Sequence, residues 1–335
     1  MDSTLRREST DDRFGDDRFG EDTEQFRREL LAHCYRMVGS AHDAEDLVQE
    51  TYLRAWRSYS GFEARSSLRT WLYRIATNVC LSASSARPRM LPSGLTGPYD
   101  GTMGPPGPVP PDEVSWLEPL PDAWIAPPAD DPAAVVVARE TVRLALVAGL
   151  QHLPARQRAI LLLRDVLAFS AAETAEVLET TTAAVKSGLQ RARARLDEVE
   201  HEPAGLLPPT DRRARALLDG YIQAFEHSDA RLLEQVLRTD ATLEATPFRD
   251  WQSGRAMCLH VLDTYVLGTP GDWRMIATTA NGHPAAAVYR RDPDGTPRAD
   301  GVVVLAPTAG GVSRVVKFHD PALVVMFGFP DVLAP

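Results

Sequence analysis

Thirteen of the 26 prolines in this 335-residue chain fall between residues 87 and 132. Proline fixes φ at about −65° and donates no backbone hydrogen bond, so neither a helix nor a central strand persists through such a stretch. The segment reads as a semi-extended linker, and it divides the chain into a block before it and a longer block after it. Inside it, DEVSWLEPLPDAW sets Trp116, Leu117, Leu120 and Trp124 among Asp112, Glu113, Glu118 and Asp122. A purely solvated spacer needs no tryptophans. Two readings stand: the segment caps a neighbouring domain, or it is an acidic docking peptide for a basic channel.

The first 22 residues are polar and acidic and carry DDRFG twice in tandem, at Asp11–Gly15 and Asp16–Gly20. Such a tail buries too little apolar surface to offset its ordering entropy and is expected to be disordered. Residues 23–86 read as a helical unit. Phe26, Leu30, Cys34 and Val38 share one face of a first helix, which Gly39 ends. Ser40 to Trp56, SAHDAEDLVQETYLRAW, opens on a capping signal, Ser40 with Asp43 three residues on. Ala44, Leu47, Val48, Thr51, Tyr52 and Ala55 form its buried stripe, and Asp43, Asp46 and Glu50 fall on another side, with Gln49 beside them. After a polar turn region, Leu68 to Ser82 gives a third helix with Leu68, Leu72, Ile75 and Val79 inward. Arg69, Trp71, Tyr73, Arg74 and Asn78 are left for its other faces.

Beyond the linker, residues 133–200 form a second helical unit. Ser170-Ala-Ala-Glu173 is a capping box opening a short helix to Leu178; Glu179-Thr180-Thr181 is a turn; Thr182 to Leu196 is a second helix with Val185, Leu189, Ala192 and Leu196 inward. Two short helices joined by a three-residue turn, the second basic, make a helix-turn-helix. The glycine usual in such turns is missing, and Gly188 sits inside the second helix, where it costs roughly 1 kcal/mol relative to alanine. That second helix carries no acidic residue between Thr182 and Leu196, although the chain has a formal charge of −10. A local basic face, not the total charge, decides whether a protein meets DNA. Thr181, Thr182, Lys186, Ser187 and Gln190 are the base-reading candidates; Arg191, Arg193 and Arg195, with Arg156 and Arg158 from the preceding helix, are placed for phosphates.

Residues 201–210 form a second proline-containing linker, and the character then changes. Arg212–His227, Asp229–Leu237 and Gly254–Val266 read as helices. Ala241–Ala245, Met275–Thr279, Ala285–Arg291, Gly301–Ala306 and Val312–His319 read as strands, with Asp292-Pro-Asp-Gly295 as a turn. Residues 211–335 are therefore expected to form an α+β domain with a curved antiparallel sheet. Cys34, Cys80 and Cys258 are far apart and form no CxxC pair, which argues for a reducing compartment without a disulfide framework or zinc site. No apolar run reaches the roughly 18–20 residues of a membrane span, and MDSTLRREST lacks the apolar core of a signal peptide. A cytoplasmic protein is expected.

DAEDLVQETYLRAW closely resembles the segment by which sigma factors of the extracytoplasmic-function (ECF) class, within the sigma-70 family, dock on the clamp helices of the largest RNA polymerase subunit. LPARQRAILLLRDVLAFSAAETAEVLETTTAAVKSGLQRARARL resembles the promoter-reading C-terminal domain of the same family, from its LP-x-x-x-R start to its AVKS…L-x-R-A-R ending. The resemblance covers about residues 24–200. It implies that Asp43, Asp46, Leu47, Gln49 and Glu50 face core RNA polymerase. It implies that Phe62 to Ser67, including Phe62, Arg65 and Ser66, hold a flipped base of the −10-type promoter element, and that Trp71, Arg74 and Asn78 line the single strand. The helix-turn-helix would read the −35-type element. The linker departs from compact members in being longer and proline-rich. The family's linker runs through the polymerase cleft, a role that Asp112, Glu113 and Glu118 would fit.

The C-terminal domain resembles the SnoaL-like, ketosteroid-isomerase-like cone, which with the long linker suggests the SigG-like group of ECF factors. Such cones hold a pocket between sheet and helices. Tyr221, Phe225, Trp251, His260, Asp263, Tyr265 and His283 are the candidates to line it, Tyr221, Trp251, His260 and Asp263 foremost, and a small ligand or a regulator is the expected partner there. No spacing marks a catalytic base, a metal site or a cofactor. The expected function is a sigma factor that binds core RNA polymerase and promoter DNA, with a cone that regulates it. The alternatives are a SnoaL-like isomerase or hydrolase fused to DNA-binding regulatory domains, and a plain DNA-binding regulator; the acidic face of the DAEDLVQET helix counts against the latter.

Overall fold

Gly39 closes the first helix because it can take the left-handed conformation (φ 82°) that frees its N–H to cap Tyr35. The chain then re-enters a helix at once. The Ser40 hydroxyl accepts from the Asp43 N–H at 3.0 Å, the capping geometry expected of that pair. In the computed structural model the described residues are 19–63, 66–86, 98–99, 108–109, 115–126, 141–198 and 205–334. They fall into two compact units, residues 1–89, 124–128 and 149–200 in one and residues 90–123, 129–148 and 201–335 in the other.

In the first unit α1 (Arg27–Val38), α2 (Ala41–Ser58) and α3 (Leu68–Ala86) pack together. Leu30, Cys34 and Met37 of α1, Val48 and Ala55 of α2, and Leu72, Ala76 and Val79 of α3 are buried, each large one stabilising by roughly 1.5–3 kcal/mol. The expected tail runs too far. Residues 19–23 are helical, and Phe19 is buried edge-on against Tyr59 (5.1 Å) and Tyr52 (6.2 Å). The first DDRFG copy lies outside the described residues. Helix α4 (Leu144–Gln151) starts among the residues of the second unit and ends in the first. Within the first, α5 (Ala155–Leu161) continues into a wider turn, Leu162–Val166; α6 (Ala171–Val177) and α7 (Thr182–Asp197) form the helix-turn-helix. The capping box at Ser170 is complete, and Thr181 caps α7 through the Ala184 N–H. Gly188 has a packing reason: a Cβ there would lie 2.6 Å from Ile160 Cδ1 of α5.

The second unit is the α+β cone. Strands β1 (Leu237–Thr246), β2 (Gln252–Ser253), β3 (Trp273–Ala280), β4 (His283–Arg291), β5 (Pro297–Thr308) and β6 (Gly311–Phe318) form one sheet in the order β2-β1-β6-β5-β4-β3. The sheet is mixed rather than wholly antiparallel, because β1 and β6 pair in parallel. Helices α8 (Arg212–Glu226), α9 (Ala230–Val236) and α10 (Arg255–Val261) bring Leu217, Phe225, Leu233 and Cys258 onto Leu243, Met275, Val288 and Val315 of the sheet. A last helix, α11 (Pro321–Met326), not anticipated from the sequence, sets Val324 against Ala287 and Tyr289.

Part of the proline-rich segment belongs to this unit. Leu117 and Leu120 are buried. Asn281, buried in the β3–β4 turn at φ 54°, takes the Leu120 N–H on its side-chain oxygen (2.8 Å) and donates its amide to the Val142 carbonyl (2.6 Å). The Asp122 carboxylate accepts from the Gly282 N–H at 2.8 Å. Residues 117–122 are thus a strap on the cone, as the capping reading of this segment has it. Asp112 and Glu113 lie outside the described residues.

Candidate functional site

The α2 face away from the core is exposed at Asp46 and Gln49 and half-buried at Asp43 and Glu50. Glu50 pairs with Arg54 one turn on, at 2.6 Å. Leu47 does not join that face: it is 6% exposed and belongs to the buried stripe, because position 47 lies one turn after Ala44 and before Thr51. Two residues that sequence reasoning passed over do join it. Leu53 and Trp56 are 41% and 49% exposed and continue the Asp46, Gln49 row at helical spacing. Their signal was present in the sequence as large apolar side chains off the inward stripe.

Between the end of α2 and the start of α3, the one-turn helix Tyr59–Gly61 and the loop behind it carry Phe62, Glu63 and Ser66, and the first turn of α3 adds Trp71. The Phe62 and Trp71 rings are 5.0 Å apart at 40°, and Tyr59 stacks on Phe62 at 6.4 Å. Phe62, Glu63, Ser66, Trp71 and Arg74 border a cavity of about 320 Å³, together with Glu176 from α6. Trp71 is half-buried, with one side on its aromatic neighbours and the other on the cavity. Arg74 lies 3.7 Å from Glu179, in the turn of the helix-turn-helix. Asn78 is half-buried one turn further along α3. Arg65 lies outside the described residues.

On α7, Thr181, Thr182, Lys186, Ser187, Gln190, Arg191 and Arg193 are all exposed, while Val185, Gly188 and Ala192 turn inward. Arg193 holds Asp165 in a fork of two bonds, 2.9 and 2.7 Å. Arg156 is exposed and donates to the Leu178 carbonyl at 2.6 Å. Arg158 is a correction. It is 5% exposed and donates to the Met37 carbonyl, to Gln151 Oε1 at 2.6 Å and to the Leu153 carbonyl at 3.1 Å. Its guanidinium is a buried bracket between α1 and α5, not a surface charge for a phosphate. Nearby, Phe169 meets the Tyr73 ring edge-on at 5.6 Å, and Arg69 lies over both rings.

The cone has a cavity of about 340 Å³ between the concave sheet and α8 with the turn Leu262–Val266. Tyr221, Phe225 and Tyr265 line it as expected. Trp251, His260 and Asp263 do not, and His283 borders a different, much smaller cavity. The expected set failed because α10 ends at Val261 and the wider turn that follows rotates the register, so that Val261, Leu262, Tyr265 and Val266 face the sheet. The polar end of the cavity was missed altogether: Asp300 on β5, Lys317 on β6 and His319 just after it. Lys317 and His319 stand two apart at the end of β6, a signal that they share a face. Asp300 is the extra residue of a β-bulge, since Val288 pairs with Gly301 and Tyr289 with Ala299, and a bulge re-aims the side chain it carries. The Asp300 carboxylate sits 2.8 Å from Lys317 Nζ and 3.4 Å from His319 Nδ1. Burial pushes its pKa up, but His319 and Lys317 together outweigh that and hold it well below the usual carboxylate range.

Comparison with known proteins agrees with this layout. The model of sigma-70 region 2 matches residues 23–89, and that of sigma-70 region 4 matches residues 143–196. The ECF RNA polymerase sigma factor SigG of Mycobacterium tuberculosis is 50% identical over 330 residues, covering 98% of this chain and 87% of that one. SigJ of the same organism is 31% identical over 221 residues, 65% of this chain and 62% of its own. The crystal structure of SigJ superposes with a TM-score of 0.57 at 23% identity, covering 93% of this chain and 99% of that chain, and so shares the fold, cone included. Among the described residues no helix is long and apolar enough to cross a membrane. The chain belongs to the extracytoplasmic-function sigma factors of RNA polymerase, within the sigma-70 family.

Proposed function

We propose that this sigma factor engages core RNA polymerase through the exposed face of α2. Asp46, Gln49 and Glu50 supply the acidic and polar part, flanked by Asp43, and Leu53 and Trp56 supply an apolar anchor; Leu47 supports the face from behind. The observation that carries the reading is this pairing of carboxylates with two exposed large apolar side chains on one helix face, the composition of a docking surface rather than of a solvated one.

Residues 23–86 then act as the −10-type module. Phe62, Ser66, Trp71 and Arg74 frame an aromatic, polar cavity suited to an unpaired base, whose face stacks where a paired base cannot reach, and Asn78 extends it one turn along α3. Arg65, next to Ser66 in sequence, goes with them. Residues 133–200 act as the −35-type module. Thr181, Thr182, Lys186, Ser187 and Gln190 read base edges, while Arg156, Arg191 and Arg193 meet phosphates, Arg193 exchanging Asp165 for DNA. The cone, residues 211–335, tunes promoter output rather than catalysing a reaction; Asp300 itself is ill suited to act as a general base at neutral pH, since its carboxyl is held well below the usual range. The site of action is the cytoplasm, where core polymerase is.

The test is a reconstituted pull-down and run-off transcription assay with core polymerase, comparing wild type with Asp46→Arg/Glu50→Arg. Binding and promoter-dependent transcripts should both fall at least 100-fold in the double variant. Full transcription by that variant would remove the assignment of α2. Truncation after Glu202 should alter promoter output; an unchanged profile would count against the cone's regulatory role.

A further inference from the structure

The cone cavity has the dimensions and walls of a small-molecule site. Its volume of about 340 Å³ falls within the roughly 300–1,000 Å³ of ligand pockets. Phe225, Trp273 and Met275 make most of its wall apolar. Two polar atoms in it make no hydrogen bond among the described residues. Tyr221 is 2% exposed and lines the cavity, yet among the described residues its hydroxyl makes no hydrogen bond; burial raises its pKa, so it stays a neutral donor. Asp300 Oδ2 lies 2.8 Å from Lys317 Nζ and 3.4 Å from His319 Nδ1, yet it is buried and accepts no well-aligned hydrogen bond among the described residues. Buried polar groups ordinarily find partners, and these two point to ligand atoms.

The charges exclude other chemistries. Lys317 Nζ lies 2.8 Å from the Asp300 carboxylate and donates to the carbonyls of Asp300 (3.2 Å) and Phe318 (3.3 Å). An anionic head group would have to compete with the Asp300 carboxylate for that ammonium. A cation would have to approach Asp300 against that same ammonium. Asp250 and Arg290 also line the cavity, so its two carboxylates are matched by two basic side chains, Arg290 and Lys317.

We propose that the cone binds an uncharged, largely apolar molecule of about the size of two fused rings, carrying a hydroxyl or N–H donor for Asp300 and an acceptor for the Tyr221 hydroxyl. The site is a binding site, with no bond made or broken. Occupancy would stiffen the sheet end that carries Asp300 and the helix that carries Tyr221.

The test uses the full chain and a fluorescent probe, 6-acetyl-2-naphthol, titrated at neutral pH. Saturable binding to one site is expected. Removing the donor in 6-acetyl-2-methoxynaphthalene should weaken binding about tenfold, as should Tyr221→Phe, since each deletes one hydrogen bond. The anion 6-hydroxy-2-naphthoate should bind at least tenfold more weakly than the ketone. Ala245→Phe, which fills the cavity from β1, should abolish binding without altering the cone's thermal transition. Absent saturation, equal binding of the anion, or full binding by Ala245→Phe would each overturn the assignment. The measurement contains no polymerase or DNA, so its failure leaves the sigma reading standing, and failure of the sigma reading leaves this one standing.

Discussion

Two cavities of nearly equal volume, about 320 Å³ in the helical unit and about 340 Å³ in the cone, are built by opposite means. The first is assembled mostly from a short run of chain, Phe62 to Arg74, and its walls are aromatic faces with a cation and two carboxylates at the edge. The second gathers residues from Tyr221 to His319 across three helical segments and most of the sheet, and its walls are apolar with one ion pair, Asp300 with Lys317, at the end. A site that must take a base out of solvent and give it back keeps its polar edge. A site that discriminates among small guests encloses an apolar space and places few polar groups in it. In the proposed roles the same space would serve two kinds of recognition, and the difference lies in what fixes the walls: local sequence in one, tertiary fold in the other.

That contrast extends to acid. The helical unit buries a histidine, His33, fully, with Nε2 3.0 Å from Thr77 Oγ1. Burial, helped by the charge of Arg36, lowers its pKa to about 3. The folded value lies below the unfolded one of about 6.5, so the unfolded chain takes the proton first. The stabilising contribution is complete above that pH and is lost as pH falls toward 3, up to about 5 kcal/mol in all. Asp300 also has a lowered pKa, so its contribution is present above about 3.9 and is lost only below that. Between pH 6.5 and 4 the helical unit should therefore weaken while the cone holds, read by tryptophan fluorescence and circular dichroism during urea titrations. His33→Gln should flatten the acid dependence of the helical transition. Loss of the cone first would break the comparison.

A second change acts on the cone alone. Gly301 lies at φ 139°, and a Cβ there would sit 1.8 Å from the Phe318 carbonyl oxygen. Gly301→Ala should cost about 3 kcal/mol or more, lowering the cone's unfolding midpoint while the helical transition stays in place. Because Asp300 precedes it in the bulge, the cavity's polar end goes with it. Asn281→Ala comes next, at about 2 kcal/mol, since it leaves the Leu120 N–H and the Val142 carbonyl without their partner. Hydrogen exchange should rise at residues 117–122; unchanged protection there would mean that Leu117 and Leu120 hold the strap by burial alone.

How much of this was legible in the sequence follows the same division. The capping box at Ser170, the buried stripe of α2 and the exposed basic row of α7 depend on residues three or four apart, so periodicity alone located them. Phe62, Trp71 and Arg74 came from resemblance, and the structure gathers them round one cavity because a short loop and one helix carry them all. Leu47 was set on the outer face by resemblance, against the periodicity that put it in the buried stripe, where it lies. Arg158 was misplaced by residue type: it is charged yet buried because three oxygen acceptors surround it. In the cone, Trp251, His260 and Asp263 were chosen by residue type, and the turn after Val261 moved the lining to its neighbours. Asp300 could not be found from spacing, since the bulge that aims it exists only once β4 and β5 have paired.

The smallest effect is expected where the sequence looked most irregular, in the helix-turn-helix turn that lacks its glycine. Glu179 occupies the position a glycine would take, at φ 49°, and the Thr180 N–H caps the Ala175 carbonyl at 2.9 Å. A left-handed residue with a Cβ costs about 1 kcal/mol, but glycine loses roughly 0.5–1 kcal/mol through its freer unfolded chain. The exposed pair with Arg74, at 3.7 Å with Glu179 74% exposed, contributes about 0–1 kcal/mol. Glu179→Gly should therefore leave the unfolding free energy of the helical unit within about 0.5 kcal/mol of wild type, in a urea titration followed by circular dichroism. Its effect should appear instead at the nucleotide face, where Arg74 loses a competing carboxylate and a short −10-type single strand binds about twofold more tightly by fluorescence anisotropy. A stability loss above about 1 kcal/mol with unchanged strand binding would show that the turn carboxylate holds the helical unit together, and the polar edge of the first cavity would then be a structural joint rather than a recognition surface.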